Sequence, residues 1–120
     1  MTHADFARWA GLPDGAAGLL REWELHPLVV DGQERGGAIT RGTEVHFAVA
    51  PQWRHRAIAR QRARDFLAPL IQRMGFLTTR ATPGDGHHRF LTRMGFSLTW
   101  QEPGADHYML CSLPFGGKEN

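Results

Sequence analysis

The chain has 120 residues, 42% of them hydrophobic, which allows one core and excludes two, since a chain of this length buries roughly two-thirds of its unfolded surface. Fourteen basic against twelve acidic side chains leave a formal charge of +2, which by itself announces neither an acidic tail nor a nucleic-acid binder. No stretch approaches the roughly 20 apolar residues of a membrane span, the N-terminus lacks the order of a secretion signal, and the lone Cys111 excludes an intramolecular disulfide and suits the cytoplasm.

In chain order, Phe6, Trp9, Leu12, Leu19, Leu20 and Trp23, broken by the turn-forming run from Gly11 to Gly15, predict two short helical pieces. Ala16 to Leu25 is the better of them. Pro27 to Val30 reads as a strand, Asp31-Gly32 as its turn and Gly36 to Thr40 as the returning strand. Thr43 to Ala50 alternates Val45, Phe47 and Val49 against Glu44, His46 and Ala48, the period of a strand with one apolar face, and Pro51 ends it. From Arg56 the apolar positions Ile58, Ala63, Phe66, Leu67, Leu70, Ile71 and Met74 predict a long amphipathic helix, kinked at Pro69 and stopped at Gly75. Phe76 to Ala81 is another strand. A loop at 82–86 feeds a short helix, His87 to Met94, which Gly95 closes. Two last strands, Phe96 to Trp100 and His107 to Leu113, flank a polar turn with Pro103-Gly104, and residues 116–120 read as a frayed tail. The pattern is that of a single α/β domain over residues 1–120.

The junction between the third strand and the long helix carries chemistry. The first N–H groups of any helix lack partners within it and face whatever anion lies ahead, and here Arg54, Arg56, Arg60, Arg62 and Arg64 stand within eleven positions. The same arginines read equally as a solvated helix face.

Val49-Ala50-Pro51-Gln52-Trp53-Arg54-His55-Arg56-Ala57-Ile58-Ala59-Arg60 resembles the strand, phosphate loop and helix start of the GNAT (Gcn5-related N-acetyltransferase) family. Arg89 to Phe96 is similar to the family's segment ending in Leu-Gly-Phe, and Val30 to Ile39 matches its upstream hairpin loosely. The resemblance implies a mixed, mostly antiparallel twisted sheet with a long helix after the central strand. It implies acetyl-CoA as acyl donor, with Arg54, His55, Arg56, Ala57, Ile58 and Ala59 around its pyrophosphate and the Val49 backbone along its pantetheine arm. The chain departs from the family at Ala57, which replaces the first loop glycine, and at His55, where a further glycine is common. Leu91 replaces the tyrosine that protonates the leaving thiolate in many members, and Gly84 or Asp85 falls where the family has an asparagine.

Amine attack on a thioester needs a group that accepts a proton from the ammonium, and Glu44 or His46, two apart on one strand face, are the candidates. A hydrogen-bonded strand pair is the plainer reading of both. Tyr108, the only tyrosine, is the phenol available in place of Leu91, with sheet packing as its alternative. His87, His88, Asp85, His46 and His107 lack metal-ligand spacing, so no metal is expected. Cys111 reads as a buried strand thiol, and Trp9, Trp23, Trp53 and Trp100 read as packing and rim, with cover for an adenine or a partner surface as the alternative at Trp53.

Two functions follow: N-acetyl transfer from acetyl-CoA to an unidentified amine, or a GNAT-shaped binding protein that modulates a partner. Small GNAT-like proteins are encoded by bacteriophages, and by analogy of fold the second case would mean modulating a host enzyme in the host cytoplasm or serving in the virion. Asp65 and the apolar positions leave only a narrow basic stripe on the long helix, against nucleic acid. Self-association as a homodimer would use the C-terminal strands.

Overall fold

A computed structural model describes residues 1–111, in two compact units, Met1–Ala63 and Arg64–Asn120, the second described through Cys111. The first unit begins with helix α1 (His3–Trp9). Its start is a reciprocal cap: the Asp5 amide donates to Thr2 Oγ1 at 3.1 Å and the Thr2 amide to the Asp5 carboxylate at 2.9 Å. Donation from Thr2 first, and from Arg8 next, holds the Asp5 carboxyl below its usual range.

The expected helix from Ala16 to Leu25 is instead a single 3-10 stretch, Ala16–Leu20, and the backbone is extended from Glu24. Strand pairing overrides local helix preference here, because Glu24 and Leu25 already sit in register with Thr40 and Ile39. Strands β1 (Glu24–Val30), β2 (Gln33–Arg41) and β3 (Glu44–Val49) form an antiparallel meander. Each hairpin ladder carries β1 and β2 beyond the bounds that apolar alternation marks. Leu25, Ile39, His46 and Ala48 share one sheet face, against which Phe6 of α1 and Trp23 pack, with Trp9 and Leu20 beside them. Burying each large side chain of that group stabilises the unit by about 2 kcal/mol.

Gly36 is fixed by close approach. A Cβ there would stand 2.7 Å from the Ala48 carbonyl oxygen and 3.2 Å from Val49 Cα, so any side chain would push β2 away from β3 where β3 delivers the chain into the following loop. The Ala50 amide extends that ladder by one bond, donating to the Arg35 carbonyl at 2.8 Å.

Helix α2 (Ala57–Met74) follows a short 3-10 turn, Pro51–Trp53. It continues through Pro69, which removes one ladder donor. Gly75, at φ +86, ends the helix as the sequence predicts.

The second unit holds β4 (Leu77–Ala81), α3 (His87–Met94), β5 (Ser97–Glu102) and β6 (Ala105–Leu110). β6 lies between β4 and β5 and is antiparallel to both. Leu67, Leu77, Ala81, Leu91, Met94, Phe96, Tyr108 and Leu110 are buried. β5 pairs with β6 alone within this unit, and its residues are exposed. Between Leu98, opposite Tyr108, and Trp100, opposite His107, Thr99 is an extra residue, so Leu98 and Trp100 point to opposite faces. Trp100 then stacks on His107 at 3.8 Å.

The last strand is described as Ala105–Leu110, ending where its partner β4 runs out at Leu77; positions 112–113, to which the sequence reading extends it, and the tail 116–120 lie outside the described residues. Cys111 is therefore exposed, not a buried strand thiol. Six strands, mostly antiparallel, with a long helix after the third, make the class mixed α/β. No helix among the described residues is long and apolar enough to cross a membrane.

Candidate functional site

The loop from Val49 to Ala59 is built by arginines bonded to its own backbone. Arg54 donates from Nε to the Val49 carbonyl at 3.2 Å and from Nη2 to the Trp9 carbonyl at 2.7 Å, tying the end of β3 to the end of α1. Arg56 donates to the Gln52 carbonyl at 3.1 Å and Arg60 to the His55 carbonyl at 3.0 Å. Arg62 reaches the Val29 carbonyl at 3.2 Å. The basic run is thus first of all a set of carbonyl clamps, a role that spacing does not reveal.

Trp53 carries two cations. The Arg35 guanidinium lies 4.9 Å from its ring centroid and that of Arg56 5.1 Å, geometry that favours attraction to the ring. The Trp53–Arg56 neighbourhood is legible in the sequence. Arg35 joins it only because β2 pairs with the end of β3.

Arg54 is extended, at φ −63 and ψ 142, and His55 turns back at φ +66. This left-handed conformation is the one a glycine takes without cost, so the demand for glycine in this loop falls on position 55, where the chain has histidine. Ala57 is already helical, and its methyl is conformationally free of charge. The first bond of α2 is donated by the Arg60 amide to the Arg56 carbonyl at 3.3 Å. The amides of Ala57, Ile58 and Ala59 precede it and have no acceptor within the helix. Three N–H groups at a positive helix end, with Arg56 and Arg60 alongside, have the charge and donor set for a phosphate.

Five and three residues N-terminal to the loop's start at Val49, β3 presents an acid–base pair in Glu44 and His46. His46 Nε2 donates to the Glu44 carboxylate at 2.6 Å, with the side chains 28% and 22% exposed. That exposure admits a solute while removing much of the water. The bond fixes the neutral imidazole in the tautomer with its lone pair on Nδ1. His46 also meets the Trp23 ring edge-on, centroids 5.4 Å apart, and the Trp23 carbonyl accepts from His3 Nε2 at 2.9 Å. Trp23 is therefore held from α1 and forms a wall of the pair, a role that its helical reading missed.

In the second unit Tyr108 is 2% exposed. Its hydroxyl is hydrogen-bonded to His88 Nδ1 at 2.8 Å, and Thr92 donates to the His88 carbonyl at 2.8 Å. Burial pushes the phenol above its ordinary pKa, and Asp106 and Asp85 add to the shift. Leu91 is 7% exposed and belongs to the core of this unit. The sequence singles out Tyr108 but not His88, whose partner stands 20 positions away.

No protein-family model and no curated protein matches the chain. Solved structures do. An acetyltransferase of Bacillus subtilis in complex with CoA superposes with a TM-score of 0.71 at 13% identity, over 94% of this chain and 95% of that one. A GNAT family acetyltransferase of Elizabethkingia anophelis with acetyl-CoA bound gives 0.65 at 13% identity, covering 89% and 88%. An IAA acetyltransferase of Bacillus cereus gives 0.66 at 10% identity, covering 92% and 95%. At these identities the likeness is one of fold, and the fold is that of the GNAT acetyltransferases.

Proposed function

We propose that the chain is an N-acetyltransferase that takes an acetyl group from acetyl-CoA and transfers it to an amine. The observation that carries the reading is the start of α2, where three partnerless amides and two arginines stand at the end of a strand that also bears an acid–base pair. The donor set suits a pyrophosphate, and helical backbone at Ala57 supports the reading, since that position needs no glycine conformation. In this proposal Arg56, Ala57, Ile58 and Ala59 hold the pyrophosphate. Arg54 and His55 shape the loop, and the Val49 backbone lies along the pantetheine arm.

Acetyl-CoA, when bound, supplies an activated acyl thioester. Glu44 and His46 accept the proton that the acceptor's ammonium must lose before it attacks, one through the other. Tyr108 is the acid that we assign to the leaving thiol: a phenol is protonated at neutral pH, and burial raises its pKa further. Much of the rate comes from orientation, since the amine and thioester need only be held in line.

A second reading, a GNAT-fold protein that docks to a partner without turnover, is favoured by Leu91: at the position where the family's tyrosine would stand, the side chain is core. Calorimetric titration with acetyl-CoA and with coenzyme A, followed by a free-thiol assay over an amine panel, separates the two. Micromolar binding with thiol release supports transfer. Binding without release from any amine favours docking, and no binding at millimolar ligand removes the transferase reading.

A further inference from the structure

Arg41 closes β2 directly across the ladder from Glu44. Its guanidinium lies 4.8 Å from the Trp23 ring centroid, the same ring that His46 meets edge-on. Trp23 thus holds a cation and the acid–base pair at one end of the sheet. Most of the other arginines of this unit behave differently; Arg35 also lies over a ring, but that ring is Trp53, beside the opposite end of β2. Arg8 pairs with Asp5, and Arg54, Arg56, Arg60 and Arg62 donate to backbone carbonyls. Arg41 is exposed and, among the described residues, has neither an acidic partner nor a hydrogen-bond acceptor, so its ring contact leaves its planar array of donors unspent.

An unspent guanidinium beside an amine site sorts amines by charge. A plain alkylammonium, such as a lysine side chain, meets a like charge there. An amine that carries its own carboxylate brings a partner for Arg41, and guanidinium and carboxylate match in two parallel hydrogen bonds. The span is short: directly opposed residues of an antiparallel pair stand about 5 Å apart, which fits an amine and a carboxylate separated by only a few bonds.

We propose that Arg41 reads the carboxylate of the acceptor, so that the amine taken by the Glu44–His46 site belongs to a small amino acid-like molecule. This rests on the reading of Glu44 and His46 as the acceptor site, and its test is chosen to fail separately from that of acetyl transfer. The protein is titrated with L-alanine and L-phenylalanine and with their carboxamides, following the His46 ring and Arg41 Nε–H signals by NMR. The same four compounds then serve as acceptors in the thiol assay. The acids should perturb both signals and bind about tenfold or more tightly than the amides. Arg41→Gln should bring that ratio to near one with coenzyme A affinity unchanged, and Arg41→Lys should retain part of it.

Equal binding of acids and amides, no perturbation by either, or a ratio that survives Arg41→Gln would overturn the assignment. Arg41-dependent binding of the acids without thiol release would retire acetyl transfer alone.

Discussion

The buried hydroxyl of Tyr108 is hydrogen-bonded at 2.8 Å to Nδ1 of His88, an exposed side chain on α3. The phenol's pKa is raised in the fold by burial first and by Asp106 and Asp85 next. A raised pKa means that the folded state holds the proton more tightly than the unfolded chain. The associated stability is complete below the ordinary tyrosine pKa of about 10 and is lost as pH climbs through the raised folded value. Tyr108→Phe should cost about 1 kcal/mol at neutral pH through the lost hydrogen bond and should flatten the alkaline loss. Urea unfolding of both proteins from neutral to alkaline pH checks this; parallel pH profiles would mean that other groups govern the alkaline limb.

His55 sits at φ +66 in the loop that opens α2. His55→Gly should relieve a left-handed conformation that costs a residue with a Cβ roughly 1 kcal/mol, less what glycine gives back in unfolded-state entropy. A small net gain in stability with equal or better coenzyme A affinity is expected by denaturation and calorimetry. Weaker affinity would show that the imidazole itself contacts the ligand.

Arg54 and Arg56 should separate. Arg54→Ala removes two bonds to carbonyls, at Val49 and Trp9, and should destabilise the fold by about 1 to 2 kcal/mol. Arg56→Ala removes one carbonyl bond and a ring contact, so it should cost less stability, about 0.5 to 1 kcal/mol, and weaken coenzyme A binding by about 1 to 3 kcal/mol if it grips phosphate. The reverse pattern would exchange the two assignments.

Glu44→Gln and His46→Gln keep the size of each side chain and remove the proton acceptor. Each should lower turnover by about 10²- to 10⁴-fold while coenzyme A affinity stays close to that of the unaltered protein. Loss of affinity together with unfolding at lower denaturant would mark the pair as structural.

Leu91→Tyr tests whether the tyrosine that the GNAT resemblance implies at this position would supply an acid. Leu91 is 7% exposed in a packed core, so the added ring and hydroxyl should destabilise the fold by about 1 to 3 kcal/mol without raising thiol release. Faster thiol release at unchanged stability would show that this position opens onto the proposed reaction after all.

The sequence by itself determined the α/β class, the short helix from His87 to Met94, the stop at Gly75, the shared face of Glu44 and His46, and the strand-to-helix junction at Arg56. These are statements about periods of two and 3.6 and about the backbone preferences of glycine and proline, and every one is written within a few neighbouring residues. Tertiary structure decided the rest. Glu24 and Leu25 joined a strand because Thr40 and Ile39 pair with them, Arg54 became a clamp because α1 brings the Trp9 carbonyl to it, and Arg41 and His46 met because both lean on Trp23. Each of these contacts joins positions well separated along the chain, and local pattern carries no record of a partner supplied by register and packing.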